Sequence, residues 1–311
     1  MIRPHARPAP PRVIAVVGPT AAGKSALAVA LARATGGEVV NADSMQLYRG
    51  MDVGTAKVPP AQRGGVPHHL LDVWEVTRTA DVASYQAMAR SVVARLLAAG
   101  RTPVLVGGSG LYVRAALDDL EFPGTDPGVR ARLEGELVEL GPAVLHERLR
   151  TVAPTAAAAI LPGNGRRVVR ALEVVELTGR FEARLPAYRA VYDVVHIGVD
   201  AADLDARIER RVDRMLAAGL VDEVRALLPR GLREGRTASR ALGYAQVLAW
   251  LSGVLRTEEE VRNATIRSTR RFARRQRSWF RRDPRVVWLK SVDVDTAMRV
   301  ANRPTPCDSG A

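Results

Sequence analysis

An octapeptide near the N-terminus, Gly18-Pro-Thr-Ala-Ala-Gly-Lys-Ser25, leaves few folds open to this chain. It follows the apolar run Val13-Ile-Ala-Val-Val17 and precedes Ala26-Leu-Ala-Val-Ala-Leu31. The order is strand, tight glycine loop, helix, and the loop fits the phosphate-binding pattern G-x-x-x-x-G-K-[ST]. Gly18 and Gly23 allow backbone angles that a Cβ forbids, so successive N–H groups can turn inward around an anion. The N-terminus of the next helix adds roughly half a positive charge at the same place. Lys24 supplies a full charge, and the Ser25 hydroxyl can ligate a metal that also bridges phosphate oxygens. Lys24, Lys57 and Lys290 are the only lysines in a chain that otherwise uses arginine. A compact ammonium on a flexible stem suits a phosphate pocket.

The flanking sequence places further candidates around this loop. Glu38-Val-Val-Asn41 reads as a second short strand that delivers Asp43, Ser44, Met45 and Gln46 to the sheet edge. Ligands of open α/β sheets sit beyond the strand carboxyl ends, which sets Asp43 beside the phosphate loop. A cap on the next helix is the other task open to Asp43, with Ser44 as an alternative cap. Pro103-Val-Leu-Val106 reads as a third buried strand, running into Gly107-Gly-Ser-Gly110, so Ser109 brings a hydroxyl to the same crevice. The paired His68-His69 has no third ligand nearby for zinc, and adjacent residues of an extended chain face opposite sides, so a loop-ordering role is expected. Residues 80–99 have the spacing of an amphipathic helix.

The strand–helix alternation stops over residues 118–192, which read as helical, and resumes at Val194-Val-His-Ile-Gly-Val199. This divides the chain into a tail at 1–12, an α/β core at 13–117 and 193–290, a helical insertion at 118–192, and a C-terminal tail at 291–311. In the insertion, Arg166, Arg167 and Arg170 begin a helix, where the dipole favours acids; an anionic partner or a solvated face accounts for them. Residues 201–228 read as helical, with Ile208, Val212 and Met215 inward and Arg207, Arg210, Arg211 and Arg214 outward. Thr257 and Glu260 form a capping box that starts a helix bearing Arg267, Arg270, Arg274 and Arg277 on one ridge. Like charges so spaced repel by a few tenths of a kcal/mol each. RNA phosphates would offset that, as would acids elsewhere in the fold.

Net charge is +13, from 46 Lys and Arg against 33 Asp and Glu. Such an excess fits a polyanion-binding enzyme better than a metabolite kinase, although drift toward arginine codons also produces it. No apolar run approaches the roughly 20 residues of a membrane helix. The start is rich in proline and arginine without a hydrophobic core, so a signal peptide is not expected. The single cysteine, Cys307, permits no intrachain disulfide and fits a reducing cytoplasm.

Taken together, Gly18 to Ser25, Asn41-Ala-Asp-Ser-Met-Gln-Leu-Tyr48, Gly50-Met-Asp-Val-Gly-Thr-Ala-Lys57, Pro67-His-His-Leu-Leu-Asp72 and Val106-Gly-Gly-Ser-Gly-Leu-Tyr112 resemble the tRNA dimethylallyltransferase family. Arg167-Val-Val-Arg-Ala-Leu-Glu-Val174, Leu242-Gly-Tyr244 and Arg274-Arg-Gln-Arg-Ser-Trp279 continue the likeness, which spans roughly Val13 to Leu289. The resemblance implies a P-loop NTPase-like parallel sheet flanked by helices, with an inserted all-helical tRNA-binding domain. It implies transfer of a dimethylallyl group from dimethylallyl diphosphate to N6 of the adenosine immediately 3′ of the tRNA anticodon, with Mg²⁺ as the metal. Gly18, Pro19, Thr20, Ala21, Ala22, Gly23, Lys24 and Ser25 would hold the diphosphate, with Ser25 also on the metal. Asp43, Ser44, Met45, Gln46, Ser109, Arg130, Arg166, Arg167, Arg170 and Arg274 would meet tRNA, and Asp43, Lys24 and Ser109 would carry the chemistry. Ser109 stands where the family commonly has threonine; the hydroxyl is kept. The implied partners are the tRNA anticodon stem-loop and dimethylallyl diphosphate, with no membrane, in a cytoplasmic monomer. A small-molecule kinase using ATP is the alternative, and a non-catalytic RNA-binding ATPase a third reading. The arginine ridges count against the kinase, and the absence of a clear hydrophobic-strand-to-Asp metal motif counts against the ATPase.

Overall fold

A computed structural model describes residues 11–182, 185–289 and 292–303. Two compact units emerge, one built from Met1–Asp118 with Ala190–Ala311 and the other from Asp119–Arg189.

In the first unit, β1 (Val13–Val17) is buried at every position, as its uninterrupted apolar run requires of a strand covered on both faces. The chain continues through α1 (Lys24–Thr35), β2 (Glu38–Asn41), β3 (His68–His69), α2 (Val82–Ala98), β4 (Pro103–Gly107) and α3 (Gly110–Leu117). Helix α1 buries Leu27, Ala28, Leu31 and Ala32 on one stripe and ends at Gly36 in the left-handed region, whose N–H closes on the Ala32 carbonyl. Six parallel strands form one sheet in the order β3-β2-β4-β1-β5-β6, completed by β5 (Val194–Gly198) and β6 (Val286–Trp288). Strand β1 pairs with β4 on one side and β5 on the other, so the sheet changes direction of growth there. That switch point places a crevice beyond the carboxyl end of β1, where the glycine loop lies. The expected α/β class with a parallel sheet flanked by helices is the fold observed.

The insertion unit, described by itself, contains α4 (Pro127–Val152), α5 (Pro154–Ala159) and α6 (Gly165–Thr178). Helix α4 breaks at Gly141 (φ 80°, ψ 167°), immediately before Pro142. Leu133, Leu145, Leu149, Ile160, Val168, Val169 and Leu172 form its core.

The first unit resumes with α7 (Leu204–Ala217), α8 (Leu220–Leu227), α9 (Tyr244–Leu251), α10 (Glu258–Phe280) and, after β6, α11 (Val294–Ala301). Thr257 Oγ1 accepts the Glu260 N–H at 3.1 Å, but the Glu260 carboxylate turns back to the Arg256 N–H, so half of the expected capping box forms. Helix α11 corrects the reading of 291–311 as tail. Asp293 caps it, and Ala297, Val300 and Ala301 join the core beside α1 and α7. Arg12, also assigned to a tail, pairs with Asp193 at 2.6 Å and donates to the Ala301 and Arg303 carbonyls. The remaining tail residues 1–10, 291 and 304–311, Cys307 among them, lie outside the described residues. Among the described residues no helix is long and apolar enough to cross a membrane.

Candidate active site

The glycine loop is shaped by contacts that a side chain would prevent. A Cβ on Gly18 (φ 140°) would stand 2.1 Å from the Val199 carbonyl oxygen, next to β5. Gly23 (φ 100°) turns the chain into α1, and Ala21 is itself left-handed at φ 65°. The first-turn N–H groups of α1 have no intrahelical acceptors and open into the loop. Lys24 Nζ curls back to the Pro19 carbonyl at 2.7 Å. Burial, then the Arg211 charge, lower its pKa from 10.5 to about 8, against the support of Asp43. A bound diphosphate would raise it again by supplying the missing negative charge.

Asp43 follows β2 and is held by its neighbours. The Asn41 side chain accepts the Asp43 N–H at 2.9 Å and donates to the carbonyls of Asp43 and Leu70. Asp43 Oδ1 accepts the Met45 N–H at 2.9 Å, which closes a local turn; the expected helix cap does not form, because the next helical element begins only at Pro60. Oδ2 makes no hydrogen bond among the described residues. Asp43 is near enough to the loop for its charge to favour the ionised forms of both Lys24 and Arg211. Behind it, buried Tyr85 donates to the Asn41 carbonyl at 3.0 Å and packs against Tyr112, ring centroids 4.6 Å apart. Burial first, with Asp43 adding to it, pushes both phenols upward, so they remain neutral donors.

Arg211 is the main correction within the site. Assigned to the outer face of α7, it turns inward: Nη2 donates to the Thr55 carbonyl at 3.2 Å, and desolvation lowers its pKa while Asp43 opposes that change. Gln46 Nε2 donates to the same Thr55 carbonyl at 3.1 Å, so one backbone oxygen orients both side chains. The segment carrying Thr55 is itself anchored. The Glu223 carboxylate accepts the N–H groups of Asp52, Val53 and Gly54 together with the Tyr244 hydroxyl. Lys57, its side chain 4% exposed, bridges Asp52 and Asp72. Composition singled out Lys57 together with Lys24, yet Lys57 holds a loop.

Other expected residues divide. Ser109 occupies the N-cap position of α3 without a side-chain capping bond. His69 bonds Glu38 and His68 bonds the Val66 carbonyl, which is the loop-ordering role expected. On α10, Arg270 pairs with Glu209 and Arg277 with Asp200, so acids neutralise half of the supposed ridge. Arg267 and Arg274 remain exposed. In the insertion unit, Arg130 and Arg170 both bind Glu173, whose side chain is 0% exposed. Arg170 donates in addition to the Pro123 and Gly124 carbonyls. These two arginines balance a buried carboxylate, whereas Arg166 and Arg167 stay exposed at the start of α6.

Parallel sheet, switch-point crevice and anion loop define an α/β protein of the P-loop class, here with a carboxylate and a second cation near enough to act on Lys24. The IPP transferase family pattern matches residues 46–283, so the chain belongs to that family. It is 72% identical over 291 residues to the tRNA dimethylallyltransferase of Parafrankia sp. (strain EAN1pec), covering 94% of this chain and 92% of the relative. Its identity to the Streptomyces coelicolor tRNA dimethylallyltransferase is 70% over 291 residues, 93% of each chain. Among solved structures, the tRNA isopentenylpyrophosphate transferase of Bacillus halodurans superposes with TM-score 0.68 at 40% identity, over 94% of both chains. A eukaryotic dimethylallyltransferase acting on tRNA gives TM-score 0.74 at 26% identity, over 87% of this chain and 70% of that one.

Proposed function

We propose that this chain transfers a dimethylallyl group from dimethylallyl diphosphate to N6 of the adenosine 3′-adjacent to the anticodon in tRNA, releasing diphosphate. The observation that carries the reading is the glycine loop with Lys24, beside which Arg211 and the Asp43–Gln46 segment are held through the Thr55 carbonyl, near enough for their charges to act on one another. Residues Gly18 to Ser25 take the diphosphate, with Lys24 and Arg211 as its cations. The N6 lone pair forms a bond to the allylic C1 as the C1–O bond breaks, and the electron pair leaves with diphosphate. Asp43 Oδ2 takes the amine proton, general-base work worth ~10²–10⁴ in rate. The loop grips a leaving group, so its stabilisation grows as that charge develops.

Among the described residues no cluster of three His, Cys, Asp or Glu side chains could hold a metal. Side-chain oxygens in or beside the loop are the Thr20 and Ser25 hydroxyls and the Asp43 carboxylate. That sparse set fits Mg²⁺, which keeps several waters and binds through one or two protein oxygens plus phosphates. Ser25 would hold the ion, and bound Mg²⁺ would neutralise charge on the departing diphosphate.

A stacked base cannot reach such a loop, so the adenosine is extruded. Asp43 to Gln46 and Ser109 meet it, while Arg166, Arg167 and Arg274 contact RNA phosphates; Arg130 and Arg170 act through the α6 helix start they brace. The test incubates labelled dimethylallyl diphosphate with unmodified tRNA, alongside a parallel reaction with ATP. Label in RNA supports the proposal. Phosphate release from ATP with unlabelled RNA supports the kinase or ATPase readings instead.

A further inference from the structure

Gln276 stands between Arg275 and Arg277 on the basic helix α10, yet it is only 6% exposed. Its Oε1 accepts the Thr20 N–H at 2.9 Å, and its Nε2 donates to the Gly108 carbonyl at 2.9 Å. The orientation of the amide is forced, because a backbone N–H can only donate and a carbonyl can only accept. One carboxamide thus joins the phosphate loop after β1 to the turn after β4. The three segments meet closely: a Cβ on Gly108 would stand 2.2 Å from Gln276 Nε2 and 3.3 Å from the Gly18 oxygen. One helical turn on, Trp279 closes against Gly110, where a Cβ would stand 2.0 Å from its Nε1. Ser109 lies between those two contacts.

We propose that Gln276 is a positioning residue for the diphosphate site, its amide fixing the spacing between the phosphate loop and the Ser109 turn. The inference rests on the function proposed above. Both jobs must be done at once by a single side chain. Arginine, the residue type on either side, has no acceptor for Thr20; ionised glutamate has no donor for Gly108; leucine has neither. Withdrawing the Thr20 N–H also settles which loop donors remain for an anion, namely those deeper in the loop and in the first turn of α1. Losing the tie lets two strand-end segments move independently, so the loop N–H groups and the Ser109 hydroxyl no longer meet a donor in one geometry. Displacements near 1 Å at such sites have large kinetic effects.

The test measures inorganic pyrophosphate affinity by calorimetry and thermal unfolding for the unmutated protein, Gln276→Leu and Gln276→Glu. Two neutral hydrogen bonds correspond to roughly a tenfold change. Gln276→Leu is therefore expected to bind pyrophosphate about tenfold more weakly. Gln276→Glu, which turns a carboxylate oxygen toward the Gly108 carbonyl, should lose at least as much. In the full reaction the KM for dimethylallyl diphosphate rises more than the KM for tRNA, which changes only through Ser109. A helix merely loosened would raise the tRNA KM at least as much, through Arg274 on the same helix, and that outcome overturns the inference. If Gln276→Leu fails to fold, Gln276→Asn serves, since its amide is one methylene too short to reach both segments; unchanged pyrophosphate affinity there overturns the inference. Were the unmutated protein unable to bind pyrophosphate, the functional proposal itself would fall. If it binds and folded Gln276→Leu binds within twofold of it, only the role of Gln276 is refuted.

Discussion

Replacing Arg211 by Gln removes the second cation of the loop while keeping a donor for the Thr55 carbonyl, and the structure fixes two consequences. The first is lost affinity. A charge-assisted hydrogen bond is worth about 1.5–3 kcal/mol, so Arg211→Gln should weaken pyrophosphate binding by roughly 10- to 150-fold. The second concerns Lys24. Its ammonium is shifted from 10.5 to about 8, with burial the larger cause and Arg211 the next. At 1.36 kcal/mol per pH unit, that shift corresponds to about 3 kcal/mol of disfavoured charge in the ligand-free protein. The unfolded chain holds this proton up to 10.5 while the folded chain releases it near 8, so Lys24's contribution to stability rises with pH across that interval. Binding runs the other way. Diphosphate prefers the charged lysine, so affinity falls as pH rises through about 8. Without Arg211, Lys24 keeps its proton to higher pH, and the alkaline limb of binding should move upward even as binding weakens. Calorimetric titration with pyrophosphate across pH 7–10 reads both effects. An affinity within twofold of the unmutated protein, or a limb that moves downward, would refute the placement of Arg211 beside Lys24.

Three further outcomes follow from the same geometry. Asp43→Asn should lower turnover by ~10²–10⁴ while pyrophosphate affinity stays within a few-fold; equal turnover would remove Asp43 from the chemistry. Replacing Arg166 and Arg167 together by Gln should weaken tRNA binding and lower the slope of log affinity against log salt by close to two. An unchanged slope would assign the start of α6 to a solvated face. Gly110→Ala forces a Cβ to within 2.0 Å of Trp279 Nε1, so unfolding in urea should show a loss of about 1–3 kcal/mol; unaltered stability would mean the α10–α3 contact is loose.

The parts of the fold legible in the sequence were those with strong local signals. Val13–Val17 is a continuous apolar run ended by glycine, and a strand buried on both faces needs that composition. Asp43 could be placed because β2 ends two residues earlier and topology aims strand ends at the crevice. Arg211 was misread because four arginines of α7 look alike, and what distinguishes one is tertiary: the Thr55 carbonyl and the Asp43 charge. A signal did exist. Position 211 falls within the stripe formed by Ile208, Val212 and Met215, so it could not share the outer face with Arg210 and Arg214. Gln276 follows the same logic, occupying a core position beside Thr269, Ala273 and Phe280. Helix α11 was missed because its inward positions are mostly alanine, which carries little hydrophobic contrast over eight residues. Arg170 and Glu173 stand three apart on α6, a spacing that lets them pair, whereas Arg130 lies 43 residues from Glu173 and leaves no local trace.

The central claim is that one loop clasps the diphosphate of an allylic donor while Asp43 deprotonates an extruded adenine amine. It is tested most directly by a crystal structure of the protein with pyrophosphate and an unmodified anticodon stem-loop. The adenosine 3′ of the anticodon should be unstacked, its N6 within about 3 Å of Asp43 Oδ2, with pyrophosphate against Lys24 and Arg211. An adenosine left stacked in the loop, or a different group at hydrogen-bond distance from its N6, would contradict the account.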